Sequence, residues 1–140
     1  MIYLAQTDTT AGFLSKNLLA LNTLKNRPAN QPCLLTTAKF SELVKLTRVP
    51  PRYKNFVRKS KKTTFLYPNQ KAIRIVKDCA HAKFLADFDW LYSTSANLHN
   101  MKFDENWARK VVDVVIDDTL FEGQSSKIFK ISRVKIKKIR

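Results

Sequence analysis

Glycine is nearly missing from this chain, with two residues in 140. Because 44% of the residues are apolar, that scarcity goes with enough hydrophobic surface to build a core, which excludes a disordered chain and a low-complexity fibre. Long apolar runs are absent as well. Nothing approaches the roughly 20 residues that span a bilayer, and Met1-Ile2-Tyr3-Leu4-Ala5-Gln6 has no basic segment followed by a long apolar stretch. A cytoplasmic protein with no membrane partner is expected. Cysteine is limited to Cys33 and Cys79, without C-x-x-C spacing. Cys79 and His81 lie close together, but two ligands do not make a zinc site, so no metal site is expected and the thiols read as reduced and partly buried.

Acidic residues are scarce too: eleven Asp and Glu stand against twenty-six Lys and Arg, a formal net charge of +15. The imbalance is uneven along the chain. Lys39 to Lys83 holds thirteen basic residues and only Glu42 and Asp78, and Lys127 to Arg140 holds seven basic residues and no acid. From Phe84 to Glu122 eight acids outnumber Lys102, Arg109 and Lys110. Segregation of this kind creates a directed field that attracts a polyanion, with strongly salt-dependent affinity; a plain solubilising surface is the simpler alternative. Arg52, Lys54, Arg58, Lys59, Lys61 and Lys62 are the candidate RNA-binding residues, near Tyr53, Phe56 and Tyr67, whose rings serve either as stacking platforms or as core.

At this length one domain covering residues 1–140 is expected. Periodicity and breakers predict alternating elements: a strand over 2–6, a helix over 16–24 capped by Ser15 with Leu18, Leu19, Leu21 and Leu24 on its apolar face, and a strand over 33–37. Further along come a helix over 40–46, a break at Pro50-Pro51, a basic helix from Arg52 to about Lys59, and strands over 63–67 and 72–76 around a Pro68-Asn69 turn. A short helix over 80–86, a strand over 90–94, a helix started by Asp104 and a β-branched strand over 111–116 follow. The alternating tail from Lys127 suits one or two edge strands. The whole reads as a single α/β domain, a twisted mixed sheet with flanking helices.

Chemistry is carried by a few short segments. Thr7-Asp8-Thr9-Thr10-Ala11-Gly12 is a polar turn whose hydroxyls suit a small polar ligand. Lys25-Asn26-Arg27-Pro28 sends two cations out of one helix end, a geometry that fits a phosphate clamp and equally a helix C-terminus stabilised against its dipole. Ser93-Thr94-Ser95-Ala96-Asn97 places small hydroxyls and an amide where a strand ends, which suits an oxyanion cradle and equally a turn or N-cap. In order, these pieces, with Pro32, the Thr64-Phe65-Leu66 and Ile73-Arg74-Ile75 strands and Ser125-Ser126-Lys127-Ile128, resemble the YrdC-like family, which includes threonylcarbamoyl-AMP synthases of transfer-RNA modification and double-stranded-RNA-binding relatives. The resemblance spans about Tyr3 to Ile131 and is most specific at Lys25 to Pro28 and Ser93 to Asn97. It departs from the family pattern at Ala11, at Ser60-Lys61-Lys62-Thr63, at Ile75-Val76 and at Ser125.

The resemblance implies a YrdC/RibB-like fold and condensation of threonine, bicarbonate and ATP into threonylcarbamoyl-adenylate with release of pyrophosphate. It implies Lys25 and Arg27 as catalytic cations facing the ATP phosphates, and Ser93, Ser95, Asn97 and Ser126 as further nucleotide-binding residues. Thr7, Thr9, Thr36 and Thr64 become candidates for the amino-acid pocket, with Arg74 as a carboxylate or phosphate partner. ATP enters as a substrate accompanied by magnesium, and no tightly bound cofactor is expected. Two other roles stay open: a non-catalytic relative that binds transfer RNA or double-stranded RNA, and a basic partner subunit among other tRNA-modification proteins.

Overall fold

The computed structural model describes residues 1–140. In chain order the elements are β1 (Tyr3–Gln6), β2 (Ala11–Ser15), α1 (Leu18–Leu24), β3 (Leu34–Thr37), α2 (Phe40–Leu46), a 3-10 turn (Pro51–Tyr53), α3 (Lys54–Lys59), β4 (Thr63–Leu66) and β5 (Ala72–Ile75). They continue with α4 (Ala80–Leu85), β6 (Leu91–Ser95), α5 (Glu105–Val111), β7 (Val114–Val115), β8 (Lys127–Ile131) and β9 (Ile136–Lys138). The expected α/β class with mixed strand pairing is what forms. The chain divides into two compact units, one built from residues 1–33 and 91–125 and the other from 34–90 and 126–140.

In the first unit the strand order is β7-β1-β2-β6, with β1 antiparallel to β2, β2 antiparallel to β6 and β7 parallel to β1. Leu4, Phe13, Leu21, Ala108 and Leu120 fill its core, and Trp107 meets Phe13 edge-on at 5.7 Å, the arrangement that ring quadrupoles favour. Gly12 has a steric reason to be glycine, since a Cβ there would stand 3.0 Å from Thr7 Cγ2 and 3.2 Å from the Thr94 carbonyl. The long strand expected over 111–116 shrinks to Val114–Val115. α5 takes Val111, and two carboxylates flank the short ladder on β1: Asp113 accepts the Ile2 N–H at 2.7 Å and Asp117 the Gln6 N–H at 2.8 Å, while the Ile2 and Leu4 carbonyls accept from the backbone of Asp113, Val114 and Ile116. Asp104 caps α5 as expected, accepting from the Trp107 N–H.

Residues 11–15, expected as the end of a turn and a helix cap, form β2 instead. Ser15 lies within that strand and Asn17 is the true N-cap of α1, its Oδ1 accepting from Ala20 N–H at 3.1 Å. The late start turns Leu19 outward, where it is 56% exposed.

The second unit has the order β3-β5-β4-β8-β9. β3 and β5 are parallel, β4 is antiparallel to β5, β8 parallel to β4, and β9 antiparallel to β8. The tail, expected to form one or two edge strands, forms two, of which β8 lies between β4 and β9 and only β9 is at the edge. Phe65 stacks on Phe129 at 5.8 Å and Phe56 packs edge-on against both, while Tyr67 is buried. Phe65 and Tyr67 are thus core residues, whereas Phe56 stays 44% exposed and Tyr53 is half-buried with its hydroxyl donating to the Val134 carbonyl at 2.9 Å. The basic helix starts with a 3-10 turn because Pro50 and Pro51 cannot donate backbone N–H groups.

His81 on α4 is buried and stacked against Phe84, and neither ring nitrogen has a hydrogen-bond partner. Burial, followed by the Arg74 charge, lowers its pKa from 6.5 to about 4. The unfolded chain thus binds this proton first, so the native state keeps its full advantage above pH 6.5 and loses it as the pH falls toward 4. Urea unfolding of wild type and His81→Leu at pH 7.5 and 4 should give a wild-type loss larger than the variant's by up to about 3 kcal/mol; parallel losses would contradict the neutral ring.

Candidate functional site

Two polar clusters gather the candidate residues, one in each unit. The first is organised by the way α1 ends. Asn26 adopts a left-handed conformation (φ 56°), its N–H bonds the Thr23 carbonyl at 3.2 Å and the Arg27 N–H bonds the Asn22 carbonyl at 3.0 Å. That pair of bonds is a Schellman C-cap with Asn in the position usually held by glycine. It reverses the chain within one residue, so Lys25 turns inward and Arg27 follows it. The His99 N–H holds the Lys25 carbonyl at 3.2 Å.

Lys25 is 2% exposed. Its Nζ donates to the Ser95 carbonyl at 2.5 Å, and to Ser95 Oγ and Asn97 Oδ1 at 3.4 Å each. Burial, then the neighbouring Arg27 charge, lowers its pKa from 10.5 to about 8, against a smaller opposing pull from Cys33. Arg27 is half-buried. Its Nε donates to Asn22 Oδ1 at 2.7 Å, Nη1 to Thr94 Oγ1 at 3.3 Å and Nη2 to Cys33 Sγ. One N–H remains on each terminal nitrogen of the guanidinium, which carries five in all. Burial pushes the Cys33 thiol up, opposed by Arg27 and Lys25, so it stays a neutral donor.

Ser93, Thr94 and Ser95 lie within β6, paired with Leu14, Phe13 and Gly12 of β2, so the strand expected over 90–94 runs one residue further, to Ser95. Only Ala96 and Asn97 leave the strand. Strand alternation therefore separates Thr94 from Ser93 and Ser95: Ser95 and Asn97 reach Lys25, Thr94 reaches Arg27, and Ser93 is buried. Thr7 also has a local job, since its hydroxyl donates to the Thr10 carbonyl at 2.6 Å and accepts from the Thr9 and Thr10 N–H groups at 3.2 Å. It closes the β1–β2 turn, with Thr9 Oγ1 3.2 Å away.

The second cluster joins Thr64, Ser126, Arg74 and Arg140. Thr64 Oγ1 and Ser126 Oγ lie 2.9 Å apart in a buried pair. Arg74 Nη1 donates to Thr64 Oγ1 at 3.5 Å, while Arg140 donates through Nε to the Ser126 carbonyl at 2.9 Å and through Nη2 to Ser126 Oγ at 3.4 Å. Thr36 is fully buried and pairs with Arg74 across β3 and β5. Two guanidinium groups converging on two hydroxyls make a donor-rich site suited to carboxylate or phosphate oxygens.

Sequence reasoning missed Asn22, Thr94 and Arg140. The alternation of the tail, which pairs Arg140 with Ile128 through two backbone bonds, was the signal for the last. Arg52, Lys54, Arg58, Lys59, Lys61 and Lys62 are all exposed; Lys61 lies 3.7 Å from Asp78 and Arg58 sits 4.5 Å over the Phe40 ring. No group of three or more His, Cys, Asp or Glu side chains is placed to hold a metal ion, and no helix is long and apolar enough to cross a membrane.

No protein-family model matches the sequence, and no curated protein matches it at a significant level. Solved structures do match it in fold. P. abyssi Sua5 complexed with L-threonine superposes with a TM-score of 0.82 at 17% identity, covering 99% of this chain and 49% of that one, so the chain spans about half the length of that protein. E. coli YciO matches with a TM-score of 0.76 at 15% identity over 99% of this chain and 82% of its own. HypF in its phosphate- and nucleotide-bound form matches with a TM-score of 0.75 at 14% identity over 99% of this chain and 26% of its own. The chain therefore carries the fold of the YrdC-like domain.

Proposed function

We propose that this protein is a threonylcarbamoyl-AMP synthase-like enzyme that takes ATP, threonine and bicarbonate. The observation that carries the reading is the convergence of both cations on the end of β6, Lys25 on Ser95 and Asn97 and Arg27 on Thr94, residues from separate parts of the sequence that together offer cationic and polar donors to phosphate oxygens. Likeness in fold to a Sua5 structure holding threonine and to a HypF structure holding nucleotide and phosphate supports it.

In this reaction the threonine amine forms a bond to the bicarbonate carbon and water leaves. A carbamate oxygen then bonds the ATP α-phosphorus as the α–β phosphate bond breaks and pyrophosphate departs. Catalysis rests on positioning and on spreading phosphate charge, with no covalent enzyme intermediate. Arg27 would grip one phosphate through its two remaining N–H groups. Lys25 would exchange its two 3.4 Å contacts for phosphate oxygens and keep the short bond to the Ser95 carbonyl as its anchor. Thr64, Ser126, Arg74 and Arg140 form a second donor set for carboxylate or phosphate. Thr7 and Thr9, engaged with each other, would shape the turn beside the amino acid. Magnesium would arrive with the triphosphate and help to spread its charge.

A second reading, RNA binding with or without catalysis, is favoured by charge. The unit of residues 34–90 and 126–140 holds twenty basic and four acidic residues, while the other holds six and seven. Nearly all the excess charge is thus on one unit, including the exposed Arg52 to Lys62 set, which also suits docking to other tRNA-modification proteins.

Pyrophosphate release should require both ATP and threonine and fall by about a hundredfold in Arg27→Ala; a folded wild-type protein that releases none contradicts the synthase reading. ATP affinity should decline above pH 8 as Lys25 loses its proton, and the decline should vanish in Lys25→Met. Because the native state disfavours the Lys25 proton, wild type should gain stability relative to Lys25→Met as the pH rises from 8 to 10.5. Affinity for transfer RNA should drop steeply between 50 and 200 mM salt on the scale of about 10³-fold or more for many phosphate contacts; salt-insensitive binding would count against the second reading.

A further inference from the structure

Asn22 is an amide in the middle of the apolar face of α1, and it is fully buried. An unpartnered amide there would cost folding free energy, so its bonds must repay the burial. Nδ2 donates to the Ala29 and Gln31 carbonyls at 3.0 Å each, and Oδ1 accepts Arg27 Nε at 2.7 Å and the Cys33 thiol at 3.8 Å. Two donors and one oxygen are fully engaged. In a Schellman cap the side chains of the third-last helical residue and the second residue beyond the cap usually make an apolar contact. Here those positions are Asn22 and Arg27, and the contact is a charge-assisted hydrogen bond.

We propose that Asn22 is the positioning residue for Arg27: it fixes the guanidinium by its Nε, so that only the two terminal nitrogens face a ligand phosphate, and its Nδ2 braces the 28–33 loop carrying Cys33 against the same group. The assignment rests on reading Arg27 as a phosphate ligand. Without the Asn22 oxygen, Arg27 keeps only its bonds to Thr94 Oγ1 and Cys33 Sγ, and a long side chain with free rotamers would lose orientation on binding. Arg27 would also leave the neighbourhood of Lys25. Of the charged and titratable groups acting on Lys25, Arg27 lowers and Cys33 raises its proton affinity, while its hydrogen-bond partners Ser95 and Asn97 are neutral.

Three variants separate bracing from positioning. Asn22→Leu removes every polar bond while keeping the branching and the number of side-chain heavy atoms, Asn22→Asp keeps an acceptor for Arg27 but loses both donations to the loop, and Arg27→Ala removes the target. The readouts are ATP binding by calorimetry from pH 6.5 to 9.5 and the Arg27 Nε–H signal with its solvent exchange by NMR on the full chain. Asn22→Leu should weaken ATP about tenfold, as expected for one charge-assisted bond, and Asn22→Leu with Arg27→Ala should bind no worse than Arg27→Ala alone. In Asn22→Leu the Arg27 Nε–H should lose protection and the alkaline fall in affinity should move to higher pH; in Asn22→Asp the Nε–H should stay protected although the protein melts earlier.

A protected Nε–H and intact ATP affinity in Asn22→Leu, or losses that multiply in the double variant, would overturn the assignment. If Asn22→Leu does not fold, loss of the protected signal in Asn22→Asp overturns it just as well. Failure of wild type to bind ATP would defeat the phosphate reading, and the Nε–H signal would still decide whether Asn22 holds Arg27.

Discussion

The reversal of the chain at the end of α1 is the constraint on which the first cluster depends. Left-handed backbone at a non-glycine residue costs about 1 kcal/mol, and Asn26 adopts it because two backbone bonds to Thr23 and Asn22 satisfy carbonyls that the helix end would otherwise leave open. The same turn aims one cation into the first unit and leaves the next at its boundary with water. Lys25 then meets the backbone of β6 at Ser95, so a helix end and a strand end are tied by one ammonium group. A buried charge of this kind is tolerable only with near-complete hydrogen bonding, and Lys25 has three acceptors.

Around that point the electrostatics are graded. Lys25 is buried enough that its pKa sits near 8, so small changes in its neighbours alter its charge within an ordinary pH range. The second cluster works differently: Thr64 and Ser126 share one hydrogen bond, with a guanidinium at either end of the pair. The acidic stretch that opposes the general basicity has a structural task, since Asp113 and Asp117 cover the N–H groups on the edge of β1 and leave few carboxylates to compete for a bound anion.

Much of the fold was legible because its elements obey local rules. Residues 40–46 form a helix with the expected ends, and the 63–66 and 72–75 strands flank the Pro68-Asn69 turn as their breakers imply. The misreadings have physical causes. Residues 11–15 look like a turn and a cap by composition, and become a strand because β1 and β6 pair with them on both sides. Val111 to Ile116 looks like a strand by β-propensity, and is mostly not one because Val111 belongs to α5 and the carboxylates of Asp113 and Asp117 take the β1 N–H groups on either side of the two paired residues. Lys25, Arg27, Ser95 and Asn97 were readable as a group only through the order of motifs. Asn22 and Thr94 were not readable: an amide on an apolar helix face gives no sign of the loop carbonyls it meets at residues 29 and 31, and Thr94 meets Arg27 only across the fold, whereas the alternation of the tail did point to the pairing that places Arg140.

The most direct test of the central claim is a crystal structure of the protein with a non-hydrolysable ATP analogue and threonine. Phosphate oxygens are expected within hydrogen-bonding distance of Lys25 Nζ and both terminal nitrogens of Arg27, with Arg27 Nε still on Asn22. An analogue held only by the exposed lysines of residues 39–83, with Lys25 and Arg27 untouched, would contradict it.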